Sequence, residues 1–213
     1  GCVILPVQSL NSSETILSIA SNADADYTLI YTKYTTLEMG MFALERMLHI
    51  ADDSAAGMVY ADHYIVTGQT RSNNPVIAYQ QGSLRDDFNF GSVLIYNSEA
   101  LKDAASRMDT TYHFAGMYDL RLKVSQQASL VHINEYLYSE VEQDNRKSGE
   151  KIFDYVDPKN RAVQVEMEAA CTQHLKEIGG YLTPEFKQIE FNAGYFEYEA
   201  SVIIPVRNRI RTI

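Results

Sequence analysis

Cysteine is nearly absent, and basic charge is in deficit. Cys2 and Cys171 stand far apart, with no CxxC pair and no neighbouring histidine, so neither a disulfide framework nor a zinc site is expected. Cys171 reads as a reduced core residue. Against 28 acidic residues there are 18 lysines and arginines, a formal net charge of −10. The densest basic run, Arg207 to Arg211, is too short to form a stripe, so DNA, RNA and anionic membranes are discounted as partners. No apolar run approaches the roughly 18 to 20 residues that span a bilayer. Nothing at the start resembles an export leader, and a cytoplasmic protein without a membrane span is expected. GxSxG, GxGxxG and P-loop patterns are missing, which leaves hydrolase, dinucleotide and ATPase readings without support. His49, His113, His132 and His174 have no mutual metal-ligand spacing and read as ordinary histidines.

What the chain does have is α/β alternation. Hydrophobic residues make up 46% of 213 positions and charged residues 22%, the balance of a globular domain rather than a disordered chain. Val3 to Val7 reads as a short strand. Asn11 or Ser12 then caps a helix with Ile16, Ile19, Ala20 and Ala23 on one face. Thr28 to Tyr31 is the next strand. Thr35 and Glu38 have capping-box spacing ahead of a stripe of Leu37, Met41, Leu44 and Leu48, so a helix is expected there. After Gly57, Met58 to Tyr60 forms another strand, and β-α-β-α-β of this kind favours a largely parallel sheet flanked by helices. Residues 65–90 are polar, with turn signals at Gly68, Asn73-Asn74-Pro75 and Gly82; they read as loop with at most an edge hairpin, of the sort that holds ligands.

Ser92 to Tyr96 restores a strand and Ser98 caps the following helix. Tyr118 to Gln126 is helical, and Leu130 to Ile133 extended. A polar stretch then leads to Asp157-Pro158, which starts a helix by the first-turn proline rule. That helix carries Val163, Met167, Ala170 and Ile178, stops at Gly179-Gly180 and leaves an aromatic extended arm. The division read from the sequence is a body over 1–140, a helix and arm over 141–198, and an opening strand over 199–213.

That last segment, Glu199-Ala200-Ser201-Val202-Ile203-Ile204-Pro205-Val206-Arg207-Asn208-Arg209, resembles the opening motif of family 2 glycosyltransferases. There an apolar strand runs into a Pro-Val-x-Asn loop that cradles the nucleotide of the sugar donor, so the resemblance implies donor-binding roles for Pro205 and Asn208. It also implies that the chain is cut from a longer polypeptide, whose catalytic domain begins here and supplies both the chemistry and any divalent metal, Mg or Mn. Val3 to Val7 repeats the apolar-Pro-Val string, but lies too close to Thr28 to be the same element. The body is therefore similar to the family from its middle onward. Ser13 to Ala23 looks like the helix before the metal-site strand, Asp26 to Tyr31 like that strand, and Met58 to Asp62 like the next. Phe90 to Leu101 resembles the wall of the acceptor site, and Tyr118 to Leu122 the helix carrying the general base.

Sugar transfer from a nucleotide diphosphate needs charge neutralised on the leaving diphosphate and a carboxylate to take the acceptor's proton. After Tyr31, where the family has metal-binding aspartates, this chain reads Thr32-Lys33-Tyr34-Thr35, which cannot hold a hard divalent cation. Asp24-Ala25-Asp26 precedes the strand and sits at the wrong end of it. Lys33 is the candidate to stand in for the metal against a diphosphate. Gly116 and Met117 occupy the place of the family's acidic pair, leaving Asp119 as the candidate base. Asp62, beside His63, together with Arg85 and Asp87, are candidate donor or acceptor contacts. The expected fold is thus a partial, degenerate GT-A-like α/β domain with no cofactor of its own. Expected functions are a catalytically silent module of a bacterial family 2 glycosyltransferase or, alternatively, a non-enzymatic domain that dimerises or holds a glycan, the 15 tyrosines favouring sugar stacking. A third reading is a metal-independent transferase using Lys33 and Asp119. Its partners would be the downstream catalytic domain, a nucleotide sugar or glycan, and a second copy of the chain.

Overall fold

The computed structural model describes residues 4–141 and 161–188, together with residues 200 and 202. Two compact units divide the chain, Gly1–Tyr181 and Leu182–Ile213. In the second, residues 182–188 are exposed and carry neither helix nor strand. Apart from Ala200 and Val202, the 199–209 motif, with Pro205 and Asn208, lies outside the described residues, as does Asp157-Pro158.

The first unit is built of α1 (Ser13–Ser21), β1 (Tyr27–Tyr31), β2 (Glu38–Met39), α2 (Ala43–Asp53), β3 (Met58–Thr67), β4 (Thr70–Asn74), β5 (Val93–Asn97), α3 (Ser98–Ser106), α4 (Gly116–Ser125), β6 (Leu130–Val141) and α5 (Arg161–Glu177). The strands form one mixed sheet in the order β1-β5-β3-β6-β2, with β4 paired to the outer half of β3. The α/β class holds. The expected parallel sheet does not: among the described ladders only β3–β6 is parallel. The remaining four are antiparallel. β1 and β3 do run in the same direction, as β-α-β alternation requires, but β5 is inserted between them the other way. Chain order carries no trace of that insertion, because α2 and the β3–β4 hairpin separate β5 from both neighbours.

Period-two alternation explains the three layers. Met58, Tyr60, Leu94, Tyr96, Ile30 and Leu130 point to one face and join Ile16, Ala20, Leu101, Ala104 and Leu120 of α1, α3 and α4. Val59, Ala61, Val93, Ile95 and Ile133 point to the other and pack on Met47 and Ala51 of α2. On the far side of α4, Tyr118 and Leu122 pack with Ala170 of α5. The compact unit thus runs through α5, which the sequence division places in the connecting segment.

Several local expectations are corrected. Residues 4–7 form no strand and are exposed, since among the described residues no strand offers them a ladder. The helix expected from Leu37 begins only at Ala43, and its first cap is Phe42 in the left-handed region with φ 57°. Glu38 and Met39 instead pair with Ser139 and Tyr138 of β6. Sheet pairing at an open edge overrides a capping-box spacing, and Met41 is left in solvent. Asn97, not Ser98, caps α3, its side-chain oxygen accepting from the Ala100 N–H at 3.0 Å. Ser12 caps α1 as expected, accepting from Thr15 N–H at 3.2 Å.

Candidate functional site

Because β1, β3 and β6 share a direction, their carboxyl ends share one edge of the sheet, and β5 begins there. Ligands in open α/β sheets collect beyond such an edge. A cleft of about 510 Å³ opens at this place, bounded by Thr32 just past β1, residues 86–91 leading into β5, Leu94 and Tyr96 of β5, and Met117, Tyr118 and Arg121 on α4. Asn11, Phe114 and Met167 complete its rim.

The loop before β5 would be loose on its own sequence, yet α4 pins it. Arg121 donates one terminal N–H to the Ser83 carbonyl and another to the Arg85 carbonyl, each at 2.8 Å. The Tyr118 hydroxyl donates to the Leu84 carbonyl between them. Burial pushes the Tyr118 phenol up, so it stays a neutral donor. The pinned loop carries Phe88 and Phe90, whose centroids lie 4.4 Å apart. Phe90 also meets Tyr60 edge-on at 4.8 Å. Such contacts give the wall a rigid aromatic surface.

The loop ends at Gly91, with φ 73°. A side chain there would collide with the Tyr138 hydroxyl and approach His63 Nδ1 to 3.1 Å. The Tyr138 hydroxyl accepts from the Ser92 N–H at 2.8 Å and fixes the start of β5. Behind it His63, stacked on Tyr138 at 5.0 Å, places Nε2 3.1 Å from Glu140 and 2.8 Å from the Asn74 amide. His63 Nδ1 and Ser92 Oγ are buried without a hydrogen-bond partner among the described residues. The His63 hydrogen bond, helped by Lys33, holds the Glu140 carboxyl below its ordinary range.

At the cleft's other wall, α4 starts without a cap of its own. Glu166 of α5 supplies one, accepting from the Phe114 and Ala115 N–H groups at 2.7 and 3.2 Å. A Cβ on Gly116 would come within 2.6 Å of the Ser12 and Ser13 backbone, so no acidic side chain fits there while α1 packs this closely.

The candidates from the sequence are dispersed around the cleft. Thr32 and Asp87 line it. Arg85 spends its guanidinium on Asp87 in a two-point pair of 2.9 and 2.8 Å, which holds the Asp87 carboxyl below its ordinary range. Lys33 is half-exposed and lies 3.4 Å from Glu140. Asp62 is buried inside β3, accepting from the Val76 N–H at 2.9 Å and meeting His132 Nε2 at 2.7 Å. The β3–β6 ladder shifts register on both sides of Asp62, with the extra residues on β6. β3 keeps its alternation, so Asp62 faces the Tyr60 side and His63 the Tyr138 side, and both are buried because the sheet is covered on both faces. Asp119 is also buried, 3.3 Å from Lys123, itself 3.2 Å from Glu177. Burial raises the Asp119 carboxyl, partly offset by Lys123. It is not among the cleft's lining residues. Asp26, of the literal DxD, accepts from Ser98 N–H through its carbonyl at the opposite edge of the sheet. Among the described residues no group of three or more His, Cys, Asp or Glu side chains is gathered to hold a metal. Nor is any helix there long and apolar enough to cross a membrane.

Sequence reasoning placed Phe90 in the expected acceptor wall but gave no role to Arg121 or Phe88. The available signal was two phenylalanines in an otherwise polar stretch, and an arginine on the same helix as two apolar neighbours, Leu120 and Leu122. No family model matches the chain, and no curated protein matches it.

Proposed function

We propose that the chain is a catalytically silent, GT-A-like module that holds a glycan acceptor in the cleft between the 86–91 loop and α4. Transfer of the sugar, and any Mg or Mn that it needs, belongs in this reading to the domain opening at Ser201. The carrying observation is the cleft itself. It lies beyond the carboxyl end of β1 and has aromatic walls at Phe88, Phe90 and Tyr118 with amide and carboxylate groups between them. Pyranose rings stack their C–H faces on such rings while their hydroxyls bond to amides and carboxylates. The resemblance to family 2 enzymes rests on the order of elements in sequence. At the two places where that resemblance implies working carboxylates, the cleft presents Thr32 and Met117 instead.

Titration of the chain with a panel of oligosaccharides, followed by NMR, tests this. Resonances of Phe88, Phe90 and Tyr118 are expected to shift on binding, and Phe90→Ala to weaken affinity roughly five- to tenfold. A panel that leaves those resonances unmoved removes the glycan reading. Micromolar, manganese-dependent binding of a uridine diphosphate sugar in calorimetry would instead overturn the silent site.

A further inference from the structure

The cleft holds a buried positive charge that no carboxylate among the described residues neutralises. Arg121 is 4% exposed and lines the cleft. Two of its five N–H donors serve the Ser83 and Arg85 carbonyls, leaving three without an acceptor among the described residues. Around it lie the rings of Tyr118, Phe90 and Tyr79, with centroids 4.9, 5.6 and 5.8 Å from the guanidinium carbon. Among the described residues no aspartate or glutamate forms an ion pair with it. The nearest loop acids do not fill that place: Asp87 is taken by Arg85, and Asp86 caps the Asp87 N–H at 3.1 Å. Lys123, equally buried two residues on, shows what the fold does with a cation that it means to neutralise, for it sits between two carboxylates. Carbonyls and ring faces recover only part of the hydration that a buried guanidinium gives up.

Resting on the glycan reading, we infer that the occupant of the cleft carries an anion, and that the sugar unit against Arg121 bears a carboxylate or a phosphate. A guanidinium presents parallel N–H donors that match either group. The aromatic wall takes the pyranose face, and Arg121 takes the charge. Arg121 is then both the positioning residue of the 83–85 loop and the specificity contact.

The test is competitive titration of the full chain with three probes at low and moderate salt: a disaccharide containing glucuronic acid, its neutral glucose counterpart, and a sugar phosphate. The expected result is that at least one anionic probe binds roughly tenfold or more tighter than the neutral one, with the advantage shrinking as salt rises. Which of the two anions gains more identifies the group. Arg121→Lys is expected to keep part of that preference and Arg121→Gln to abolish it, both followed on the Phe88 and Phe90 resonances. Equal binding of neutral and anionic probes, with no salt dependence, overturns the anionic ligand and leaves the glycan reading standing. Binding of none of the three overturns both. The salt series on the unaltered chain decides the matter even where an Arg121 variant fails to fold.

Discussion

Arg121 and Lys123 lie two residues apart on one helix, both buried, and their surroundings could hardly differ more. Lys123 faces α5, where Glu177 and, from one turn back on α4, Asp119 neutralise it, while Gln126 and Gln173 donate to Glu177 at 2.7 and 3.0 Å. Burial works against the charge on Glu177, but these hydrogen bonds outweigh it and hold the carboxyl below its ordinary range. Arg121 faces the cleft, where carbonyls and aromatic rings surround it without a carboxylate. A helix of alternating faces can therefore close one side of a domain and leave the other side unfinished. The closed side stabilises, and the unfinished side is where a ligand gains most from binding.

The largest expected effect separates the two cations by stability. Lys123→Met leaves the buried Asp119 without its cation, Glu177 lying at the surface beside it, and is expected to lower unfolding free energy by about 3–5 kcal/mol. Arg121→Met strands two carbonyls but no charge, and about 1–3 kcal/mol is expected. Urea denaturation followed by circular dichroism compares them; a larger loss at Arg121 would erase the contrast between closed and unfinished faces.

Next in size is Gly91→Ala, where left-handed backbone and the Tyr138 hydroxyl both oppose a methyl group. A loss of about 2 kcal/mol is expected. The double variant with Tyr138→Phe should recover part of it by removing the colliding oxygen. No recovery would show that backbone strain alone decides the site.

The smallest effect is a pH dependence at the back of the cleft. Glu140 has a folded-state value lowered from 4.5, chiefly by its hydrogen bond with His63. Its stabilising contribution is therefore complete above that ordinary value and is lost as pH falls through the lowered one. Glu140→Gln should flatten the acid limb of stability below about pH 4.5, while changing little in its slope above. An unchanged acid limb would place the sensitivity elsewhere, for instance at Glu177.

Much of the secondary structure was legible in advance. The cap at Ser12, the apolar runs of β1, β3 and β5, and the stop at Gly179 all follow from local chemistry, and each element forms where those signals stand. The exceptions share a cause. Glu38 and Met39 join β6, and residues 4–7 had no strand to join among the described residues; pairing with a distant partner decides such segments, whatever their own propensity. The candidate site was legible in location more than in membership. The polar stretch before β5 does border the cleft, through Asp87. Asp62 and Asp119 are turned into the core, the first because both faces of β3 are covered and the second beside Lys123, with which it pairs.

By itself the sequence determined the alternation of elements, the two apolar faces of each central strand, and the want of a carboxylate at Thr32, Gly116 and Met117. Periodicity, capping and residue identity are local properties, so they can be read along one chain. Only the tertiary structure decided that β5 runs against its neighbours, that Arg121 reaches back to hold the 83–85 loop, and that its charge meets no carboxylate among the described residues. Those are facts about which distant groups come within a few ångströms of one another, and packing three layers around one sheet is what settles them.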